Sequence, residues 1–205
     1  MKTTLILIRH GETQWNRDGV FRGKADVPLN ERGLAQADAV GRHLAGRPFG
    51  AVFTSPLKRA LDTARAVAKA KDGDRIIVQD AGLADIDRGE WQGLRREAVQ
   101  GRFPDLYARW FSDPESVTFP SGESLADLQA RALPCVARVA KEHEGSAAAL
   151  VTHHVVLRVL LCGLLGVGLS RFRGFEVEPA SISELEFEYG RWTLTRLNDL
   201  CPIRG

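Results

Sequence analysis

Leu5-Ile6-Leu7-Ile8-Arg9-His10-Gly11 changes within a few positions from continuous apolar residues to a cation, an imidazole and a glycine. Four consecutive apolar residues are typical of a strand that is buried on both faces. Ligands of open α/β sheets bind beyond the carboxyl ends of such strands. The stretch therefore predicts a strand with Arg9 as an anion-binding residue and His10 as a reactive group at its end. An isolated Arg-His pair is more often a solvated strand end, so the rest of the chain has to decide.

The composition indicates one globular domain. The chain has 205 residues, of which 44% are apolar and 26% are charged, and single domains extend to about 250 residues. A formal net charge of +2 gives no argument for nucleic acid or an anionic membrane as a partner. No apolar run in the sequence approaches the roughly 20 residues of a membrane helix. We therefore expect a single domain over residues 1–205, cytoplasmic, and either a monomer or a homodimer.

The cysteines give no sign of a disulfide framework or a metal site. Their number is odd and their positions are scattered, at Cys135, Cys162 and Cys201. This usage fits reduced, mostly buried thiols.

Strand and helix patterns alternate along the chain. Apolar runs predict strands over about 3–9, 51–54, 75–79 and 147–152. Capping residues followed by apolar residues at helical spacing predict helices over about 30–44, 55–68, 95–102, 105–111, 123–144 and 155–165. Residues 181–188 and 192–197 alternate around a turn, which predicts an antiparallel hairpin at the sheet edge. The expected fold is α/β, with three α/β/α layers and a mostly parallel sheet.

Three predicted strands deliver basic side chains to the same edge of that sheet. The first ends in Arg9-His10 and the fourth ends in His153-His154. The second leads into Ser55-Pro56, a strong helix start, so that Arg59 lies in the first turn and points back toward the strand end. Burying these groups together without an anion is costly. A tetrahedral dianion, phosphate, is the expected ligand.

The motifs that carry these residues resemble the histidine phosphatase superfamily, the phosphoglycerate-mutase-like group. The likeness rests on five short blocks, which occur in the same order as in that family and span residues 5 to about 160. They are Arg9-His10-Gly11-Glu12-Thr13-x-Trp15-Asn16, Asp26-x-Pro28-Leu29-Asn30-x-x-Gly33, Ser55-Pro56-Leu57-x-Arg59-Ala60-x-x-Thr63-Ala64, Gly122-Glu123-Ser124 and Val151-Thr152-His153.

The resemblance implies that His10 is the nucleophile and forms a phosphohistidine intermediate. It also implies a phosphate cradle, with no metal and no cofactor. Such a cradle agrees with the physics of phosphoryl transfer, which needs positioning and charge stabilisation. His153 is expected to be protonated, since a neighbouring anion raises its pKa. The resemblance implies that Arg9, Arg59 and His153 hold the phosphoryl oxygens, and that Asn16 and the backbone near Arg22-Gly23 and His154 complete the cradle.

The chain departs from the family pattern at two positions. Members usually carry Glu in a Leu-x-Glu-x-x-x-Gly-x-Trp-x-Gly block, and here that position is Asp85. Asp85 is the expected general acid, with Asp87 or Glu90 as alternatives, and a weakened acid is a further possibility. A second departure is His154, where glycine is common.

The sequence leaves two roles open for the basic and aromatic residues near the expected pocket mouth. Either they recognise a second anionic group on the substrate, or they are solvated surface charges. Trp91, Trp110 and Phe111 either line the pocket or pack in the core. The basic residues are Arg22, Lys24, Arg88, Arg95, Arg96, Arg102 and Arg109.

The combined reading is a metal-independent phosphatase of a small-molecule phosphomonoester. A cofactor-dependent phosphoglycerate mutase is an alternative in the same fold. The compact segment from Gly93 to Gly122 favours hydrolysis, because mutases usually carry an extra shielding segment there. A catalytically weak phospho-ligand-binding module is an alternative of another class, and only the aspartate at position 85 supports it.

Overall fold

A six-stranded sheet carries the fold in the computed structural model, which describes residues 1–69 and 74–204. The strands are β1 (Thr3–Arg9), β2 (Ala51–Thr54), β3 (Ile76–Gln79), β4 (Ala147–Thr152), β5 (Ile182–Glu188) and β6 (Arg191–Asp199). The helices are α1 (Gln14–Arg17), α2 (Glu31–Leu44), α3 (Lys58–Ala68), α4 (Arg96–Arg102), α5 (Pro104–Ser112), α6 (Leu125–Glu142), α7 (His154–Leu164) and α8 (Cys201–Arg204). In the described part of the chain, no helix combines the length and the apolar character that a membrane span requires.

The strand order is β3-β2-β4-β1-β5-β6. β1 pairs with β4 in parallel and β2 pairs in parallel with both β3 and β4, whereas β5 and β6 form the antiparallel hairpin that the alternation predicts. The register places Arg9 opposite Thr152. His10 and His153, which follow these residues, therefore leave the same edge of the sheet side by side.

Two hydrophobic cores cover the two faces of the sheet, as expected for three layers. Leu5 and Leu7 belong to one core, which includes residues of α6 and α7. Ile6 and Ile8 belong to the other, which includes residues of α2 and α3. Because side chains alternate along a strand, the continuous apolar run of β1 serves both cores.

The loop after β1 is held by a close approach to the start of α2. A Cβ on Gly33 would lie 2.0 Å from the backbone oxygen of Glu12, and one on Gly11 would lie 2.4 Å from the Gly33 oxygen. Only glycine permits this contact at either position. Asn30 caps α2 by accepting a hydrogen bond from Gly33 N at 2.8 Å. The packing fixes the backbone immediately after His10.

Two sequence predictions of local structure are wrong in detail. Helix α3 begins at Lys58, with Leu57 as a cap residue that makes no side-chain hydrogen bond. Ser55 does not cap the helix because its hydroxyl is engaged elsewhere, at 3.3 Å from Leu57 N and 2.8 Å from a ring nitrogen of His153. Leu34 follows the helical spacing of the apolar residues in α2, which predicts an inner position, but its side chain is 50% exposed.

Candidate active site

His10 and His153 form the floor of the candidate site. Both side chains are fully buried, and their ring centroids lie 5.1 Å apart with the planes inclined by 58°. The two rings come from the ends of the neighbouring strands β1 and β4, so the sheet itself sets their separation.

The environment of His10 leaves one ring nitrogen available for reaction. Nδ1 lies 2.6 Å from the carbonyl oxygen of Gly11, which can only accept, so Nδ1 carries the proton and donates. Nε2 has no hydrogen-bond partner among the residues that the structure describes. Burial, followed by the charge of Arg59, lowers the pKa of His10 well below its ordinary value. The ring is therefore a neutral imidazole with a free lone pair on Nε2.

Arg59 connects the two histidines to the rest of the pocket. It is fully buried, and its Nε donates to Nδ1 of His153 at 3.2 Å. Its Nη2 donates to the Gly23 carbonyl at 2.8 Å and to Oδ2 of Asp85 at 3.2 Å. The backbone at Gly23 turns through a positive φ of 52°. Gly23 therefore enters the site by orienting the guanidinium of Arg59.

His153 makes the contacts of a neutral imidazole in the structure, whereas the protonated form was expected beside a bound anion. Its Nδ1 accepts from Arg59, so Nε2 carries the proton and donates to the Ser55 hydroxyl at 2.8 Å. Burial, followed by Arg59, lowers its pKa well below the ordinary value. A dianion bound beside the ring acts in the opposite direction and favours the charged form.

Ser55 is a site residue that the sequence reasoning missed. A hydroxyl before Pro56 is the usual sign of a helix cap, and that pattern conceals its contact with His153. The only other signal was its position directly after a strand whose carboxyl end faces the site. Ser55 is a positioning residue, since it fixes the orientation of the His153 ring.

Replacing Ser55 with alanine is expected to lower kcat about tenfold, because the buried Nε2–H of His153 loses its acceptor. Steady-state kinetics with p-nitrophenyl phosphate measures the effect. Ser116→Ala, at an exposed position, is the matched control. A wild-type kcat for Ser55→Ala would show that the hydroxyl does not position His153.

Of the three acidic candidates, only Asp85 lies in the pocket. It is 5% exposed, and its Oδ2 lies 3.2 Å from Arg59 Nη2 and 3.8 Å from His153 Nδ1. Asp87 accepts from Gly89 N at 2.9 Å and pairs with a lysine, and Glu90 pairs with an arginine at the surface. Neither Asp87 nor Glu90 lines the cavity.

The remaining predicted phosphate ligands line a cavity of about 410 Å³. Arg9 donates to the Val177 carbonyl at 2.6 Å, and Nε of Arg9 and of Arg22 have no partner in the described chain. Asn16 accepts from Thr13 through Oδ1, which leaves its Nδ2 as the donor on the cavity side. His154 also lines this cavity, at the first position of α7.

The cavity wall is strongly basic, and the sequence predicted only some of the basic residues that line it. Of the basic residues expected at the mouth, Arg22, Arg88 and Arg96 line the cavity, whereas Lys24, Arg95, Arg102 and Arg109 do not. Trp110 and Phe111 also line it, whereas Trp91 is fully buried in the core. The sequence analysis did not identify three further arginines of the cavity, because their segments were interpreted only as secondary structure. These residues are Arg17, Arg158 and Arg173.

Comparison with known proteins places this chain in a family. The sequence model described as histidine phosphatase superfamily (branch 1) matches residues 5–200. Phosphoserine phosphatase 1 of Hydrogenobacter thermophilus is 36% identical over 199 residues, which cover 97% of this chain and 93% of that protein. A metal-independent phosphoserine phosphatase of Arabidopsis thaliana is 38% identical over 162 residues, 77% of this chain and 67% of that protein. The solved structure of Bacillus stearothermophilus YhfR matches with a TM-score of 0.91 and 32% identity, over 98% of this chain and 99% of that one.

Proposed function

The chain belongs to the histidine phosphatase superfamily, and from that premise we propose that it hydrolyses small phosphomonoesters through a phosphohistidine on His10. One observation carries the proposal. Nε2 of His10 is buried, unprotonated and without a partner among the described residues, and Arg59, Arg9 and Arg22 lie close enough for their charges to act on its ring. A neutral imidazole nitrogen in that setting is suited to attack phosphorus.

In the first step, Nε2 of His10 attacks the phosphorus atom as the bond to the ester oxygen breaks. The Gly11 carbonyl accepts from Nδ1–H and stabilises the positive charge that develops on the ring. The departing alkoxide takes a proton from the carboxyl group of Asp85. The alcohol leaves, and the phosphoryl group remains on His10.

In the second step, water attacks the phosphoryl group and the bond between nitrogen and phosphorus breaks. Asp85, now a carboxylate, accepts the proton of that water. Inorganic phosphate leaves and His10 is again neutral at Nε2. Division into two steps replaces one difficult displacement by two easier ones.

The cationic side chains stabilise the equatorial oxygens in both steps. A loose phosphoryl transition state spreads its charge over these oxygens, so fixed donors in a buried pocket contribute most of the catalysis. Asn16 and Arg22 add donors from the loop after β1, and His154 adds an imidazole from α7. The phosphate ligands are Arg9, Asn16, Arg22, Arg59 and His154, together with His153 in the protonated form that a bound dianion favours.

We assign the reaction no metal cofactor. Guanidinium and imidazole groups supply the charge that a metal ion provides in other phosphatases. The printed name of the Arabidopsis relative, a metal-independent phosphoserine phosphatase, supports the same assignment.

Phosphate release from a panel of phosphometabolites in EDTA tests this function. We expect turnover that EDTA does not reduce, with phosphoserine and 3-phosphoglycerate among the substrates. Free phosphate without formation of 2-phosphoglycerate separates a phosphatase from a mutase. Tight binding of these compounds without turnover would instead support the phospho-ligand-binding module.

A further inference from the structure

The cavity contains a second group of cations that the chemistry on His10 does not use. Arg88, Arg158 and Arg173 line it from three segments: the loop before the 3-10 turn at 89–91, helix α7 and the 3-10 turn at 169–174. We call these three residues the arginine cluster.

Each member of the arginine cluster has a buried guanidinium nitrogen without a partner in the part of the chain that the structure describes. These atoms are Nη1 of Arg88, Nε of Arg158 and Nε of Arg173. Arg88 as a whole is only 9% exposed. Buried polar groups are almost always hydrogen-bonded, so three unpartnered donors on one cavity wall indicate a ligand that accepts from them.

Aromatic rings hold the guanidinium planes in place. Arg88 lies 5.0 Å from the ring centroids of Phe21 and Trp110, and Arg173 lies 4.7 Å from that of Phe111. Such stacking orients a guanidinium group through its face but provides no acceptor for its N–H edge. At that edge, Nη2 of Arg173 donates to the Trp110 carbonyl at 2.5 Å, whereas its Nε has no partner among the described residues. A carboxylate or phosphoryl group is the ligand that matches a pre-oriented edge of this kind.

The positive charge of the arginine cluster is not compensated by contact ion pairs. Within the described residues, no carboxylate oxygen lies within 4.0 Å of a charged nitrogen of Arg88, Arg158 or Arg173. Burial lowers the pKa of each, and Arg173 lowers those of the other two further. Asp85 acts on Arg88, and Glu176 and Glu178 act on Arg158, in the opposite direction but from a distance.

We propose that the arginine cluster binds a second anionic group of the substrate, a carboxylate or a phosphoryl, while the ester phosphoryl lies against His10. The enzyme then prefers phosphomonoesters that carry this second anion. The proposal rests on the proposed function, because the two subsites share one substrate. The cavity of about 410 Å³ is of the size that small-molecule sites have.

The position of His154 supports a continuous path between the two subsites. Its pKa is lowered by burial and then by Arg9 and Arg158, followed by Arg88 and Arg22. Cations of the phosphate site, Arg9 and Arg22, and cations of the arginine cluster therefore both lie close enough to His154 to lower its pKa.

Matched substrate pairs test the proposal. 3-Phosphoglycerate and glycerol 3-phosphate differ by a carboxylate, and fructose 1,6-bisphosphate and fructose 6-phosphate differ by a phosphoryl group. We expect kcat/KM to favour the member with the second anion by about tenfold or more in at least one pair, the effect of one charge-assisted hydrogen bond. The pair that shows the preference identifies the anion.

Arg158→Gln and Arg173→Gln lie on separate elements and test the residues independently. Each is expected to lower the preference about tenfold, chiefly by raising KM for the substrate with the second anion. Arg191→Gln, at an exposed position at the start of β6, is the charge-matched control and is expected to keep the wild-type preference.

The possible results separate the two proposals. Equal kcat/KM within both pairs, with all four compounds hydrolysed, overturns the second subsite and leaves the phosphatase intact. A preference that survives both glutamine substitutions overturns the assignment to the arginine cluster. If no compound is hydrolysed, the proposed function fails, and thermal protection by 3-phosphoglycerate over glycerol 3-phosphate then decides the subsite alone.

Discussion

His10→Ala is expected to reduce phosphate release from p-nitrophenyl phosphate by at least about 10⁴-fold, because loss of a nucleophile removes the covalent route. The side chain is fully buried and its Nε2 has no partner among the described residues, so the loss is chemical and cannot be attributed to a surface change. Stopped assays in EDTA measure the effect, and the melting temperature of the variant shows whether it is folded.

His43→Ala is the matched control, since His43 is an exposed histidine on α2. We expect it to keep the wild-type rate. Rapid quenching of the wild-type enzyme during turnover, followed by mass spectrometry at alkaline pH, is expected to show one phosphoryl group on the peptide that contains His10. A His10→Ala variant that retains the wild-type rate would remove this residue from the role of nucleophile.

The pH dependence tests the same residue without a substitution. Attack requires neutral imidazole, and burial and Arg59 lower the pKa of His10 well below 6.5. The fraction of neutral His10 therefore stays high as pH falls through 6.5. The acid limb of kcat/KM, which reports groups of the free enzyme, is expected well below pH 6.5 after correction for substrate ionisation near pH 6. An acid limb at or above pH 6.5 contradicts the neutral ring.

The sequence predicts the position of the site well because strand ends are a strong signal. The apolar runs of β1 and β4 stop directly before His10 and His153, and parallel pairing puts these two residues at one edge. That inference needs only the spacing of apolar residues along the chain and the rule that ligands of open α/β sheets bind beyond the carboxyl ends of the strands.

Tertiary contacts were not predictable in the same way. The Ser55 hydroxyl has the local sequence signature of a helix cap. Only the fold shows that this hydroxyl instead contacts the ring of His153. The proton positions on His10 and His153 depend on the Gly11 carbonyl and on Arg59. Arg158 lies on a helix and Arg173 on a 3-10 turn, and no spacing rule connects either with the loop that carries Arg88.

The neighbours of Asp85 fix the position of its carboxylate. Asp85 accepts from the backbone N–H of Ile86 at 2.9 Å through one oxygen and faces Arg59 and His153 with the other. The backbone carbonyl of Asp85 is held by Arg131 at 3.0 Å. The segment is thus anchored at the cavity, so the general acid of the proposed reaction has a fixed position.

Asp85→Asn is expected to lower kcat for alkyl phosphates such as glycerol 3-phosphate by about 10²- to 10⁴-fold, the usual contribution of a general acid. Asparagine keeps an oxygen for Ile86 N but has no proton to give to an alkoxide. p-Nitrophenyl phosphate, whose leaving group departs without protonation, is expected to lose much less. A series of esters with graded leaving groups measures the difference as a steeper dependence of rate on leaving-group pKa.

Asp87→Asn and Glu90→Gln are the controls for this prediction, because both carboxylates form their contacts outside the cavity. Both variants are expected to keep the wild-type ratio of alkyl to aryl rates. An equal loss for alkyl and aryl esters in Asp85→Asn would mean that Asp85 only orients Arg59 through their 3.2 Å contact. A change of the ratio in Glu90→Gln instead of Asp85→Asn would move the proton donor to Glu90. The leaving-group dependence therefore distinguishes proton donation from charge positioning at the same carboxylate.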